Sequence, residues 1–275
     1  MRIGRPTPAT VRRLTILGTC LVVSVAARGP ALEETTTTAA PAESLAVISD
    51  SVVTPAAAPT EVASLDTMSL LPFRAKIAGR IGTYRLGYWP AERGSIPSAA
   101  YANPAGFYEV TPENENTFVS PHFRLRDFLT HDQGNVWPKY VVLREPLIEK
   151  LEAVIADLDE HGTPVEHVQV MSGFRTPEYN ALGVGEGGRV SNSRHQYGDA
   201  ADVFVDNDRD GRMDDLNGDG RVDASDDRVI VQAVDRVERD HPELIGGAGI
   251  YHSTAAHGPF VHIDARGHRA RWGNA

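Results

Sequence analysis

A short, densely acidic segment at residues 206–227 constrains this chain more than any other feature. It contains nine aspartates and three arginines, a local net charge of −6, within a chain of 275 residues whose net charge is −10. Carboxylates this close together repel one another unless solvent or cations offset their charge. The chain also lacks the basic patch or stripe of a general nucleic-acid binder, so we expect no nucleic-acid partner.

The acidic segment has the residue spacing of two overlapping calcium loops. Ca²⁺ takes six to eight oxygen ligands, and the glycine of such a loop permits its sharp turn. The second loop would use Asp215, Asn217, Asp219, Arg221, Asp223 and Asp226, with Gly220 at the turn. The first would use Asp206, Asp208, Asp210 and Asp214, with Asn217 as a poorer last ligand. Aspartate at the last position of the second loop resembles dockerin-type loops. We therefore predict Ca²⁺ binding, with a solvated acidic loop as the alternative.

The N-terminal residues have the composition of an export signal. Four arginines and no acid occupy residues 1–13, and a mostly apolar stretch follows at 14–27. A basic region, an apolar run of this length and small residues after it are typical of a secretory signal. We predict a signal peptide at 1–31, with an uncleaved anchor as the alternative, and a disordered Thr/Ala/Pro-rich linker at 32–68. No later apolar run could span a membrane.

Apolar periodicity predicts a mixture of helices and strands. Residues 142–161 and 226–239 have helical spacing, and 120–129 indicates a short helix. We predict strands at 165–171, 200–205, 249–251 and 260–264. Helices and strands do not alternate regularly, which favours an α+β fold with a mostly antiparallel sheet. Residues 69–119 contain short aromatic and apolar runs broken by glycine and proline, so we predict a small β-rich region of unassigned function.

Three segments carry metal-competent side chains beside these strands. They read SGFR at 172–175, SRHQYGDAAD at 193–202 and FVHID at 260–264. A turn at Gly198 would bring His195 and Asp202 together, and His262 could complete the set. Imidazole and carboxylate are ordinary Zn²⁺ ligands, and three protein ligands with an open fourth position are typical of catalytic zinc. From spacing alone, these histidines are more often structural. The single cysteine excludes a Cys-rich zinc site.

In their order and spacing, the three segments resemble the M15 family of zinc peptidases. That family contains D-alanyl-D-alanine carboxypeptidases and murein endopeptidases of the hedgehog/DD-peptidase fold. The resemblance implies a zinc peptidase domain at 120–275, with 206–227 as an insertion. It implies that His195, Asp202 and His262 bind zinc. It also implies that Arg175 binds substrate near the scissile carbonyl, with a structural salt bridge as its alternative role. It also implies that Ser193 orients its loop or contacts substrate and that Tyr251 lines the site.

The general base is left open by the sequence. Many relatives carry an acid three residues before the last ligand, but this chain has Pro259 there. Asp264 lies on the same strand face as His262 by the two-residue period, so we predict it as the base. Its alternative role is to accept a hydrogen bond that orients His262. His257 is a second catalytic candidate, with an exposed loop histidine as its alternative.

The sequence thus predicts an exported zinc metallopeptidase of the periplasm or cell envelope. Its substrates would be the peptides of peptidoglycan, cut by a zinc-activated water, either as an endopeptidase or as a carboxypeptidase. Zn²⁺ is the expected cofactor, together with Ca²⁺. We expect a monomer with no membrane contact beyond the signal. The alternative is a catalytically silent module that retains the metal fold and binds the cell wall or a partner.

Overall fold

The computed structural model describes residues 62–94, 96–185 and 188–273, which lie in one compact unit. The predicted signal peptide and nearly all of the predicted linker are outside the described residues. The last residues of that linker belong to the fold, which is a correction to its boundary. Val62 forms a bridge with Phe118, and Leu65 is buried. Because the apolar side chain of Leu65 packs in the core, the folded part begins nearer the N-terminus than the composition of the segment indicates.

A five-stranded sheet forms the centre of the fold, with the strand order β10-β8-β9-β7-β6. Its strands are β6 (Val168–Ser172), β7 (Ala200–Val205), β8 (Gly247–Tyr251), β9 (Phe260–Asp264) and β10 (Ala270–Trp272). All neighbouring strands are antiparallel except β10 and β8, which are parallel. The prediction of an α+β fold with a mostly antiparallel sheet is confirmed. Strand β10 was not predicted.

Two long helices pack against each other, and the second also contacts strands β8 and β9 of the sheet. Helix α1 spans Glu145–Glu160 and helix α3 spans Ala224–Asp240, close to the predicted ranges. Their apolar residues recur every three or four positions, so each helix presents one stripe to the core. The shorter α2 spans Pro177–Ala181, beginning after Thr176, whose side chain accepts a hydrogen bond from Tyr179 N. Among the described residues, no helix is both long and apolar enough to cross a bilayer.

The N-terminal region adds two small sheets to the same buried core. Strands β1 (Leu70–Pro72), β4 (Gly106–Val110) and β5 (Lys139–Val141) form one sheet, and β2 (Arg80–Ile81) pairs with β3 (Tyr84–Arg85). Trp89 is fully buried, and its Nε1 donates a hydrogen bond to Gln196 O at 2.8 Å. This region therefore supports the loop that precedes β7. The short helix predicted at 120–129 is a single 3₁₀ turn, Leu125–Phe128.

Candidate metal centre

Strands β7 and β9 and the turn before β7 bring the three predicted zinc ligands together. Asp202 and His262 are directly paired across these neighbouring strands. His195 lies in the 3₁₀ turn Arg194–Tyr197, which ends at Gly198 in the left-handed conformation with φ 69°. A Cβ at Gly198 would lie 2.3 Å from Val142 O, so glycine is required there on two grounds. The turn returns the chain into β7, and His195 reaches Asp202 as predicted from the spacing.

The ligand atoms form a compact triangle in the interior. His195 Nε2 lies 3.2 Å from Asp202 Oδ1 and 3.1 Å from His262 Nδ1. His262 Nδ1 lies 2.9 Å from the same carboxylate oxygen. All three residues are at least nine-tenths buried. A tetrahedral zinc ion with bonds of about 2.0–2.1 Å separates its ligand atoms by about 3.3 Å, which is close to this triangle.

The outer nitrogen of each imidazole faces a hydrogen-bond acceptor. His195 Nδ1 lies 2.7 Å from Gly173 O, and His262 Nε2 lies 3.0 Å from Asp264 Oδ2. Each of these nitrogens therefore donates its hydrogen outward. The inner nitrogens then present lone pairs to each other and to Asp202 Oδ1. Three converging acceptors require a cation or a proton between them, and outer partners of this kind fix the tautomer of metal-binding histidines.

Burial and charge set the protonation of the triangle without a metal. Burial alone would raise the pKa of Asp202, but the neighbouring histidines hold it well below its usual value. Burial lowers the pKa of His195. Burial also acts to lower that of His262, yet hydrogen bonds to Asp202 and Asp264 raise its pKa to about 9. A metal ion binding here must therefore displace a proton.

Arg175 contacts the triangle from its outer side. Its Nη2 donates to Asp202 Oδ2 at 2.5 Å, and its Nε donates to Ser172 Oγ at 2.9 Å. The carboxylate oxygen that faces the histidines is thus separate from the one that faces Arg175. Nη1 makes no hydrogen bond within the described residues, and Arg175 also lines the adjacent cavity. Nη1 is therefore the nitrogen of Arg175 that is available for the predicted contact with substrate.

Asp264 does not face the open side of the triangle, so the geometry does not support its prediction as the base. It is fully buried and accepts from the outer nitrogen of His262. It also forms an ion pair with Arg266 and accepts from Gly247 N at 2.8 Å. The two-residue strand period correctly placed Asp264 beside His262. It could not show that the imidazole lies between the carboxylate and the ligand atoms.

An open cavity of about 900 Å³ adjoins the ligand triangle. It is lined by the predicted residues Ser193, Tyr251 and His257 as well as Arg175. Tyr251 stacks on Phe260 with ring centres 4.7 Å apart, and the His257 ring packs edge-on against Phe260 at 5.0 Å. His257 Nδ1 donates to Gly258 O at 2.8 Å, which leaves Nε2 with a lone pair.

Several residues of the cavity wall were not singled out from the sequence. These are Tyr101, His131, Tyr179, Arg189 and Trp272, among others. His131 Nε2 donates to Met171 O at 2.8 Å. Trp272, on the unpredicted strand β10, packs against the His262 ring at 5.1 Å. These residues come from separate segments of the chain, and no local pattern marks them. Only the family resemblance could have directed attention to the neighbourhood of Trp272.

The acidic segment forms two tight loops directly after β7. In the first, carboxylate oxygens of Asp206, Asp208 and Asp210 lie within 4.8 Å of one another. In the second, Asp215 accepts hydrogen bonds from the backbone of Gly218, Asp219 and Gly220. The remaining predicted ligands lie along the same two loops: Asp214, Asn217, Arg221, Asp223 and Asp226. Asp223 caps helix α3, and Asp226 accepts from Asp223 N.

One carboxylate beside the second loop is unusual. Asp227 is fully buried, and neither of its oxygens has a hydrogen-bond partner within the described residues. Burial, followed by the negative charge of Asp226, raises the pKa of Asp227 to about 7. A buried carboxyl group without partners is costly when ionised, so this position favours a neutral acid or a nearby cation.

Comparison of the chain with protein-family models, with curated proteins and with solved structures found no match. Within the described residues, two imidazoles and one carboxylate are placed so that they could hold a metal ion. One side of that site opens onto a cavity large enough for a peptide. Such an arrangement can polarise a bound carbonyl group and acidify a water molecule once a metal is present.

Proposed function

We propose that this protein is an exported zinc-dependent peptidase that hydrolyses peptide bonds in peptidoglycan stem peptides or cross-links, with a hedgehog/DD-peptidase-like fold. One observation carries the proposal. Three buried acceptor atoms, from His195, Asp202 and His262, converge while both imidazoles donate their hydrogens outward. An array of this kind suits a divalent cation, which would replace the proton that the triangle holds without a metal.

A catalytic zinc site fits better than a structural one. Structural zinc is almost always held by four protein ligands, whereas catalytic zinc has three and an open position. Here the group that can bind metal has three members and borders the cavity. Zinc in this position supplies Lewis acidity towards the scissile carbonyl and towards water.

The chain's own residues would orient the ligands and the substrate. Asp264 and Arg266 hold the His262 ring, and the Gly173 carbonyl holds His195. Arg175 fixes Asp202 through Oδ2 and keeps Nη1 for a substrate oxygen. Donors placed where negative charge develops on a carbonyl oxygen are a major source of rate in acyl-transfer sites.

His257 is our choice for the proton carrier. Of the described residues that line the cavity, Asp202 is the one carboxylate, and it belongs to the ligand triangle. Histidines are therefore the remaining candidates, because imidazole is the commonest general acid or base in enzymes. The His257 ring packs against Phe260, which lies two residues before His262 in β9. The lone pair on Nε2 of His257 can accept a proton. His131 is the second candidate.

The substrate class comes from the sequence. The signal-like N-terminus would carry the protein to the compartment that contains peptidoglycan, and the three motifs resemble peptidases of that substrate. At about 900 Å³, the cavity has room for several residues of a peptide.

The missing acid before the last ligand favours one alternative. A silent module that binds the cell wall would retain the metal triangle without a proton carrier. Pro259 occupies the position of the usual acid, and no glutamate is among the described residues that line the cavity. The two proposals differ in one outcome, which is product formation.

Ca²⁺ is part of the proposal as a second, structural metal. The trio Asp206, Asp208 and Asp210 and the buried Asp227 support it. The first loop begins where β7 ends, and Asp214 N donates to Val205 O at 3.0 Å. A cation in the loops would therefore hold the end of the strand that carries Asp202.

The deciding experiment is digestion of purified peptidoglycan by the zinc-loaded protein, with the products identified by mass spectrometry. His262→Ala removes one ligand, and His268→Ala is the matched control at an exposed position. We expect new peptide products from the wild type and from His268→Ala, but none from His262→Ala. A folded, zinc-loaded wild type that binds peptidoglycan and releases no product would establish the silent module instead.

A further inference from the structure

The charges that line the cavity are strongly unbalanced. Of the described residues of its wall, four are arginines and one is a carboxylate, Asp202. Three of the arginines have acidic partners: Arg175 with Asp202, Arg194 with Asp199 and Arg266 with Asp264. Arg189 is the exception, because no carboxylate of the described residues lies within 4.0 Å of it. Among the described residues, Arg189 is thus the one cationic group of the cavity wall without an acidic partner.

Neutral contacts hold the Arg189 side chain in place. Its Nη1 donates to Tyr179 O at 2.7 Å, and its guanidinium carbon lies 4.3 Å from the centre of the Tyr179 ring. Its stem runs over Gly183, where a Cβ would come within 2.4 Å of Arg189 Cδ. Glycine at 183 therefore makes room for this side chain. The guanidinium group is positioned before any ligand arrives.

Arg189 also lies close enough to Arg175 to affect it. Burial lowers the pKa of Arg175, Asp202 opposes that change, and the positive charge of Arg189 lowers the pKa further. Two of the four guanidinium groups of the cavity wall therefore act on each other, and a bound metal would add further positive charge. A planar guanidinium in a partly buried site is well suited to bind a carboxylate through paired hydrogen bonds.

We infer that Arg189 binds a carboxylate group of the peptide substrate and thereby selects which peptides enter the site. This inference rests on the proposed function for its ligand, a peptide. The carboxylate can come from two sources, the C-terminal α-carboxylate or an acidic side chain within the peptide. The first source corresponds to a carboxypeptidase, which needs a free chain end. The second corresponds to an endopeptidase that recognises an acidic residue beside the cut.

The test uses four synthetic stem-type peptides in two matched pairs. One pair differs in a free or amidated C-terminus, and the other differs in a glutamate or glutamine side chain. Wild type, Arg189→Gln and Arg189→Lys are compared, with Arg93→Gln as the control at an exposed arginine outside the cavity. Glu186, which is outside the described residues, is changed in Glu186→Gln to learn whether it is an internal partner of Arg189. Hydrolysis rates and calorimetric binding are both measured on zinc-loaded protein.

We expect the wild type to prefer the acid over the amide in one pair by about 10- to 100-fold in kcat/KM and in affinity. We expect Arg189→Gln to abolish that preference by lowering kcat/KM and affinity for the acid peptide only. We expect Arg189→Lys to retain part of the preference. Arg93→Gln and Glu186→Gln leave the preference in place. Unchanged binding of the amide peptide by Arg189→Gln shows that the variant retains its fold.

The inference and the proposed function can fail separately. If peptides are cut but Arg189→Gln keeps the wild-type preference, the inference is overturned and the peptidase stands. If no peptide is cut but acid peptides still bind better through Arg189, the inference stands and the peptidase is overturned. If the wild type binds acid and amide equally in both pairs, or binds none of the four peptides, Arg189 does not select a carboxylate.

Discussion

His262 donates a hydrogen bond from Nε2 to Oδ2 of Asp264, and the two atoms are 3.0 Å apart. The same ring turns Nδ1 towards Asp202 and His195. Because the imidazole lies between them, the carboxylate of Asp264 acts on the ligand atoms by orienting the ring. Its own charge is held by Arg266, which helps to keep the pKa of Asp264 far below its usual value despite burial.

Asp264→Asn tests this positioning role. We expect zinc affinity to fall by about 10- to 100-fold, because an outer partner sets the orientation and basicity of a metal-binding histidine. Affinity is measured by competition with a zinc chelator on folded protein. Asp235→Asn is the matched control, since Asp235 is also paired with arginines, Arg269 and Arg271. Normal zinc affinity combined with lost activity would restore Asp264 as the base.

The identity of the proton carrier is tested with His257→Ala and His131→Ala. General acid–base catalysis contributes about 10²- to 10⁴-fold, so we expect His257→Ala to lower kcat by at least about 10²-fold. Zinc content should be unchanged, because neither histidine is in the ligand triangle. His131→Ala should have the smaller effect. The reverse order of the two effects would assign the proton transfer to His131.

The left-handed turn at Gly198, which leads from the His195 turn into β7, is tested with Gly198→Ala. An alanine there would have both a left-handed backbone and a Cβ 2.3 Å from Val142 O. We expect a loss of about 3 kcal/mol in the free energy of unfolding, together with weaker zinc binding. Gly82→Ala is the control, because Gly82 has φ 56° and no heavy atom within 4 Å of the added Cβ. It should cost about 1–2 kcal/mol. Equal losses for the two variants would show that the contact with Val142 is unimportant.

Calcium binding is tested by thermal unfolding of zinc-loaded protein. Ca²⁺ at 10 times its Kd stabilises the folded state by about 1.4 kcal/mol, so for a Kd of about 10⁻⁴–10⁻³ M we expect Tm to rise with Ca²⁺ at about 1–10 mM. Asp208→Asn should reduce that rise, because Asp208 is one of the three clustered carboxylates. Asp240→Asn removes a charge of the same sign at an exposed position outside both loops. No change in Tm with Ca²⁺ would contradict the proposal.

Alkaline stability is tested with Tyr140→Phe. Burial, followed by a hydrogen bond to Glu109, raises the pKa of Tyr140 from 10 to about 12. The unfolded chain therefore loses this proton first, and the free energy of unfolding falls as the pH rises from 10 to 12. Tyr140→Phe should show a shallower fall in that window and a loss of about 1 kcal/mol at pH 7. Denaturant midpoints at both ends of the window measure this, with the exposed Tyr88→Phe as control. An identical pH slope for Tyr140→Phe and wild type would argue against the raised pKa.

Local patterns predicted the long helices and most strands of the central sheet. Helix α1 and strands β7 and β9 have strong apolar periodicity, so their existence depends little on distant residues. Strand β10 is three residues long and forms through its parallel pairing with β8. Its own residues contain no signal for a strand. The linker predicted at 32–68 extended too far for the same reason, since the core partners of the buried Leu65 lie elsewhere in the chain.

The candidate site divides in the same way. The sequence alone determined the candidate ligands and the turn residue, which are His195, Asp202, His262 and Gly198. It also determined the acidic spacing of 206–227. Ligand chemistry and turn conformation depend on residue type, so a local pattern is enough to indicate them. The tertiary structure decided which nitrogen of each imidazole faces inward, that Asp264 lies behind His262, and that Arg189 faces the cavity without an acidic partner among the described residues. Those properties depend on distances between segments far apart in the chain, and packing sets such distances.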